Sequence, residues 1–104
     1  MVNESDIKTV AEKIAKVINA YKVILFGSHA RGQARNDSDV DLLIVAESDL
    51  PRHKRARQLY GSLNPYPFGM DLLVYTPEEI QKASESPLSF VSEVLREGVV
   101  VYAR

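Results

Sequence analysis

The chain has 104 residues, enough for one domain around one modest core, with 45% apolar and 26% charged residues, a net charge of −1 and no cysteine. That balance offers no basic field to gather nucleic acid, and the lack of cysteine removes disulfides, thiolate metal sites and thiol nucleophiles. Its apolar runs fall far short of the roughly 20 residues that span a bilayer. With a polar, acidic start that carries no signal-peptide pattern, a cytoplasmic protein with no membrane partner is expected.

Ile7, Val10, Ala11, Ile14, Val17, Ile18 and Tyr21 recur at three- and four-residue steps and predict a first helix, started by Ser5 and Asp6. Val23-Ile24-Leu25-Phe26 reads as a buried strand that ends at Gly27. Residues 28–32 form a turn or brief helix, 33–38 a polar loop, and 39–45 a second strand. A helix beginning at Asp49-Leu50-Pro51 presents Ala56, Leu59, Tyr60 and Leu63 to the core and is basic from Arg52 to Arg57, a solvated face by default. After the loop Asn64-Pro65-Tyr66-Pro67 comes a third strand, 70–75. Thr76-Pro77-Glu78-Glu79 carries a capping box and a first-turn proline, two independent signals of a helix start. Ser86-Pro87 opens a last helix with Leu88, Val91, Val94 and Leu95 on its apolar face. Gly98 closes it, and Val99-Val100-Val101-Tyr102 is a final strand. The order predicts an α/β (α+β) fold, a small mixed β-sheet packed with helices, in a single domain over 1–104.

Chemistry concentrates in three acids. Asp39 and Asp41 lie one residue apart at the entry of a strand, so they project to one face. Asp41 interrupts an apolar run where aspartate is disfavoured, and Asp71 interrupts another in the same way. Buried carboxylates need a partner or a metal, and three of them on neighbouring strands suit a two-metal Mg²⁺ site for phosphoryl or nucleotidyl transfer. Upstream, Gly27 permits a tight turn against a ligand and Ser28 adds a hydroxyl donor, an arrangement that suits phosphate. Arg31 is placed to reach a phosphate oxygen, while His29 and Arg35 read as exposed loop residues. Tyr66 and Phe68 near Asp71 read as loop packing, and Met70 as core.

Gly27-Ser28, ten residues, then Asp39-x-Asp41, with a later strand acid at Asp71, resembles the nucleotidyltransferase superfamily of the DNA polymerase β type. The short stand-alone form, the minimal nucleotidyltransferases or MNT proteins, is the most similar. Phe26-Gly27-Ser28-x-Ala30-Arg31-Gly32, Ser38-Asp39-x-Asp41-Leu42 and the tail Leu95-Arg96-Glu97-Gly98-Val99 extend the match over nearly the whole chain. The resemblance implies that Gly27 and Ser28 hold the nucleotide β- and γ-phosphates, that Asp39 and Asp41 bind Mg²⁺, and that Asp71 shares a metal and helps deprotonate the acceptor.

The reaction implied is attack of an acceptor hydroxyl on the α-phosphate of a nucleoside triphosphate, ATP by family, with release of pyrophosphate. A bare catalytic core implies an acceptor that docks as a separate macromolecule. The expected role is therefore an MNT-type antitoxin that transfers AMP to a tyrosine hydroxyl of a HEPN-type toxin. Two other readings stand beside it: an antitoxin that neutralises its partner by occlusion without catalysis, and a dimeric nucleotidyltransferase for small molecules of the aminoglycoside type.

Overall fold

The computed structural model describes residues 2–104. Helix α1, Glu4–Ile18, begins one residue before Ser5 because Asn3 caps it, its side chain accepting the Asp6 N–H at 2.9 Å. It ends at Asn19, whose left-handed backbone (φ 55°) turns the chain. Tyr21 therefore leaves the predicted helical face, and its N–H donates to the Val45 carbonyl at one end of the sheet.

Strands β1 (Lys22–Phe26), β2 (Val40–Val45), β3 (Met70–Tyr75) and β4 (Val99–Ala103) form one mixed sheet in the order β3-β2-β1-β4. Strand β1 runs antiparallel to β2 and to β4, and β2 runs parallel to β3. Asp39 lies just before β2 rather than within it.

Alternation along the strands splits the apolar residues between two faces. Val23, Leu25, Leu42, Ile44, Leu72 and Val74 pack with Ile7, Val10, Ala11 and Ile14 of α1 and with Leu59 and Leu63. On the other face Ile24 and Leu43 are covered by Val94, with Leu73, Tyr75 and Ile80 packed alongside. The sheet thus has helices on both faces.

The single helix expected after Pro51 is two, α2 (Arg52–Arg55) and α3 (Arg57–Leu63). The basic run is also not wholly solvated, because Arg55 is buried and hydrogen-bonded between α2 and the next elements. Helix α4, Pro77–Ser84, has both halves of the capping box between Thr76 and Glu79. Helix α5, Phe90–Glu97, starts later than Ser86-Pro87 because Ser89 is the cap, accepting from the Ser92 N–H at 3.1 Å. Leu88 consequently falls outside the helix and is 94% exposed, and Leu95 is also largely exposed. Gly98 caps α5 with extended backbone, its N–H donating to the Val94 carbonyl at 2.7 Å. Among the described residues no helix is long and apolar enough to cross a membrane.

Candidate active site

The sheet register brings two of the predicted acids together. Asp41 stands opposite Phe26 on β1 and opposite Asp71 on β3. Cross-strand partners share a face, so Phe26, Asp41 and Asp71 form a row one step beyond the apolar row Ile24, Leu43, Leu73. Asp39 is two residues before Asp41 and projects beside it.

The carboxylates differ in exposure. Asp41 is half-buried, whereas Asp39 and Asp71 are exposed, because Asp39 precedes its strand and β3 is an edge. The sequence-based expectation of buried acids therefore holds only in part for Asp41 and fails for Asp39 and Asp71. Burial first, then the neighbouring Asp71 and Asp39 carboxylates, push the Asp41 carboxyl above its usual value, while His29 and Arg31 pull it down. A row of like charges that raises its central member is a site that gains from a cation.

Two glycines make room for the acids. Gly27 has φ +74°, and a β-carbon there would run into the Asp41 carboxylate oxygen Oδ2. A β-carbon on Gly69 would run into Oδ1 of Asp39. Each carboxylate thus lies directly against bare backbone.

After Gly27 the chain makes a single turn, closed by the Arg31 N–H to the Gly27 carbonyl (3.1 Å) and the Gln33 N–H to the Ser28 carbonyl (2.9 Å). These bonds leave the N–H groups of Ser28, His29 and Ala30 outside the turn's own bonding, the pattern that favours an anion. His29 is half-buried rather than an exposed loop residue, and its Nε2–H donates to the Ser38 carbonyl at 3.1 Å. It fastens the turn to the residue that precedes Asp39. Arg31 is exposed, with Nε 3.3 Å from Oε1 of Gln33. It borders a cavity of about 220 Å³ that Phe26, Gly27, Phe90 and Glu93 also line.

The donor set fits Mg²⁺. Among the described residues no group of three or more acids or histidines already stands close enough to hold an ion. Mg²⁺ takes one or two carboxylates and completes its shell with water and substrate phosphates, a need that the pair in register, Asp41 and Asp71, can meet. Asp39, Asp41 and Asp71 would supply the carboxylates.

Sequence reasoning missed Gly69, His29 and the position of Tyr60. Gly69 comes opposite Asp39 only through the parallel register of β2 and β3, which no local pattern encodes. The helical pattern places Tyr60 on the core face of its helix. Its ring does pack on the core, but its hydroxyl reaches the backbone around Asp71.

The chain is similar to two Methanocaldococcus jannaschii proteins named as candidate protein adenylyltransferases. One is 36% identical over 80 residues, 77% of each chain. The other is 33% identical over 88 residues, 79% of this chain and 58% of that relative's own length. Among solved structures it is similar to a candidate nucleotidyltransferase from Sulfolobus solfataricus (TM-score 0.66, 20% identity, 97% of this chain and 80% of that one). It is also similar to a toxin–antitoxin complex solved with AMP-PNP (TM-score 0.61, 22% identity, 99% of this chain and 75% of that one). These structures share the fold. Residues 6–104 match the family described as Polymerase beta, Nucleotidyltransferase, and the chain belongs to that family of enzymes.

Proposed function

We propose that this nucleotidyltransferase moves AMP from ATP to a hydroxyl, a tyrosine, of a HEPN-type toxin, and so acts as the antitoxin of the pair. The observation that carries the reading is the row Asp41–Asp71, in register on β2 and β3, with Asp39 one step on and the Gly27 turn beside it. The names of the M. jannaschii relatives and the toxin–antitoxin neighbour support the acceptor class.

In this reading the free N–H groups after Gly27, the Ser28 hydroxyl and Arg31 bind the β- and γ-phosphates. Asp39 and Asp41 would hold Mg²⁺, with Asp71 sharing it. Bound Mg²⁺ would orient the triphosphate and offset the charge that develops on it. The toxin's hydroxyl oxygen forms a bond to the α-phosphorus while the bond from that phosphorus to the oxygen bridging the β-phosphate breaks. Pyrophosphate leaves, and the hydroxyl proton passes to the Asp71 carboxylate and then to solvent. Asp71 suits that task because its exposure leaves a path for an incoming protein side chain.

The test is a mass spectrum of the protein encoded beside this one, incubated with this chain, ATP and Mg²⁺. An AMP-sized increment that is absent with Asp39→Asn/Asp41→Asn is expected. No increment, with a tight complex formed by both versions, would replace transfer by occlusion.

A further inference from the structure

Strand β3 has β2 on one side only, so half its backbone groups point away from the sheet. The inter-strand bonds show which half. Gly69 and Tyr75 give their carbonyls to the N–H groups of Val40 and Ala46 on the β2 side. Even-numbered residues from Met70 to Val74 therefore face outward. A single hydroxyl meets two of these groups: the Tyr60 O–H donates to the Met70 carbonyl at 3.2 Å, and the Leu72 N–H donates to the Tyr60 oxygen at 2.9 Å. Met70 and Leu72 are the two residues that flank Asp71.

We propose that Tyr60 is a positioning residue, whose hydroxyl clamps the backbone on both sides of Asp71 and so fixes that carboxylate opposite Asp41. This rests on the reading of Asp71 as a site residue. The edge strand that carries Asp71 has no second strand beside it to hold its pitch, and Asp71 itself is exposed. The phenol supplies from α3 what a neighbouring strand would otherwise supply. Its ring is anchored against the core and beside Tyr66, with centroids 6.3 Å apart, so the hydroxyl is delivered from a rigid base. A Tyr60→Phe change keeps the ring and its volume while leaving both backbone groups without their partner.

The experiment compares wild type with Tyr60→Phe, Asp71→Asn and Ile14→Ala, the last a fully buried residue of a different helix, α1, whose loss loosens the core without altering α3's own residues. Three quantities are read: Mn²⁺ affinity of the nucleotide-free protein, hydrogen exchange at the Leu72 amide, and kcat and KM for ATP in AMP transfer to the neighbouring-gene protein. Tyr60→Phe is expected to speed Leu72 exchange, to weaken Mn²⁺ binding and to lower kcat, each by about tenfold, as outer partners of metal ligands do. KM for ATP should stay within about twofold, since the phosphate turn is untouched, and Ile14→Ala should keep its kcat. Faster exchange with unchanged kcat and Mn²⁺ affinity would overturn the proposal and leave Tyr60 as an edge cover. An equal kcat loss in Ile14→Ala would overturn it as general loosening. Asp71→Asn that binds Mn²⁺ and transfers AMP like wild type would overturn the site reading itself, a result distinct from either.

Discussion

Glu79→Ala tests the packing that holds the back of the sheet together. Arg55 is 8% exposed, and its guanidinium donates to the Leu50 carbonyl at 2.8 Å, to the Val74 carbonyl at 3.1 Å and to both oxygens of Glu79, at 2.5 and 3.3 Å. Glu79 also accepts the Thr76 N–H at 2.9 Å and lies 3.5 Å from Arg52. Removing the carboxylate strands a buried cation and opens the capping box. Breaking a buried pair from one side costs about 3–5 kcal/mol. The titration of Glu79 gives a second route to the magnitude. The Arg55 hydrogen bond, outweighing burial and aided by Thr76 and Arg52, lowers its carboxyl from 4.5 to about 2. A shift of that size corresponds to roughly 3 kcal/mol, trimmed to about 2 because Glu79 is 29% exposed and partly screened.

Glu79→Ala is therefore expected to lose about 2–3 kcal/mol at pH 7, or about 8–24 °C in Tm for a domain of this size. Because the folded value is depressed, the stabilisation is complete above pH 4.5 and fades as pH falls towards 2, so wild type and variant should converge in that window. Urea unfolding at pH 7, 4 and 2.5 measures both effects. A variant within about 0.5 kcal/mol of wild type at pH 7, or a deficit that persists unchanged at pH 2.5, would refute the buried pair. Arg55→Met/Glu79→Leu, which removes both charges, should recover most of the loss.

Gly27→Ala forces a β-carbon into the left-handed region, at about 1–2 kcal/mol, and into the Asp41 carboxylate; AMP transfer should fall at least tenfold at 25 °C, as activity and melting together will show. Gly69→Ala displaces Asp39 without a positive φ, so Mn²⁺ affinity should fall while Tm changes little. Asp41→Asn should stabilise the metal-free protein at pH 7, because a carboxyl whose folded value is raised destabilises above its unfolded value. That gain should vanish as pH falls through 3.8, and added Mg²⁺ should stabilise wild type but not the variant.

Much of the fold is written locally. The period of α1, the β-branched runs of β1 and β4 and the capping box of Thr76 and Glu79 each depend on residues a few positions apart, and each appears where the pattern puts it, except that α1 ends before Tyr21 and leaves Val17 exposed. Helix starts were read less well where several serines compete: Ser86, Ser89 and Ser92 all offer hydroxyls, and only the folded chain makes Ser89 the cap. Arg55 was illegible because nothing in Arg52 to Arg57 distinguishes the one guanidinium that turns inward to Glu79, a partner on a different helix. The site was half legible. Asp39 and Asp41 are set together by strand geometry alone, whereas the meeting of Asp41 with Asp71 depends on the parallel register of β2 and β3, which no local periodicity encodes.

That register links the core to the chemistry. Leu42 with Leu72 and Ile44 with Val74 pair on the face covered by α1 and α3; Leu43 with Leu73 and Asp41 with Asp71 pair on the other. A one-residue slip of β3 would turn Leu72 and Val74 away from their helices and carry Asp71 toward the apolar face. The burial that stabilises the sheet therefore also selects the single arrangement in which the two acids meet. At the end of the sheet the apolar rows give way to the row of Phe26, Asp41 and Asp71, in which Phe26 packs on Phe90 of α5 and the carboxylates keep contact with solvent. Gly27 and Gly69 complete the transition, because any larger residue at either position would occupy the space that the Asp41 and Asp39 carboxylates take.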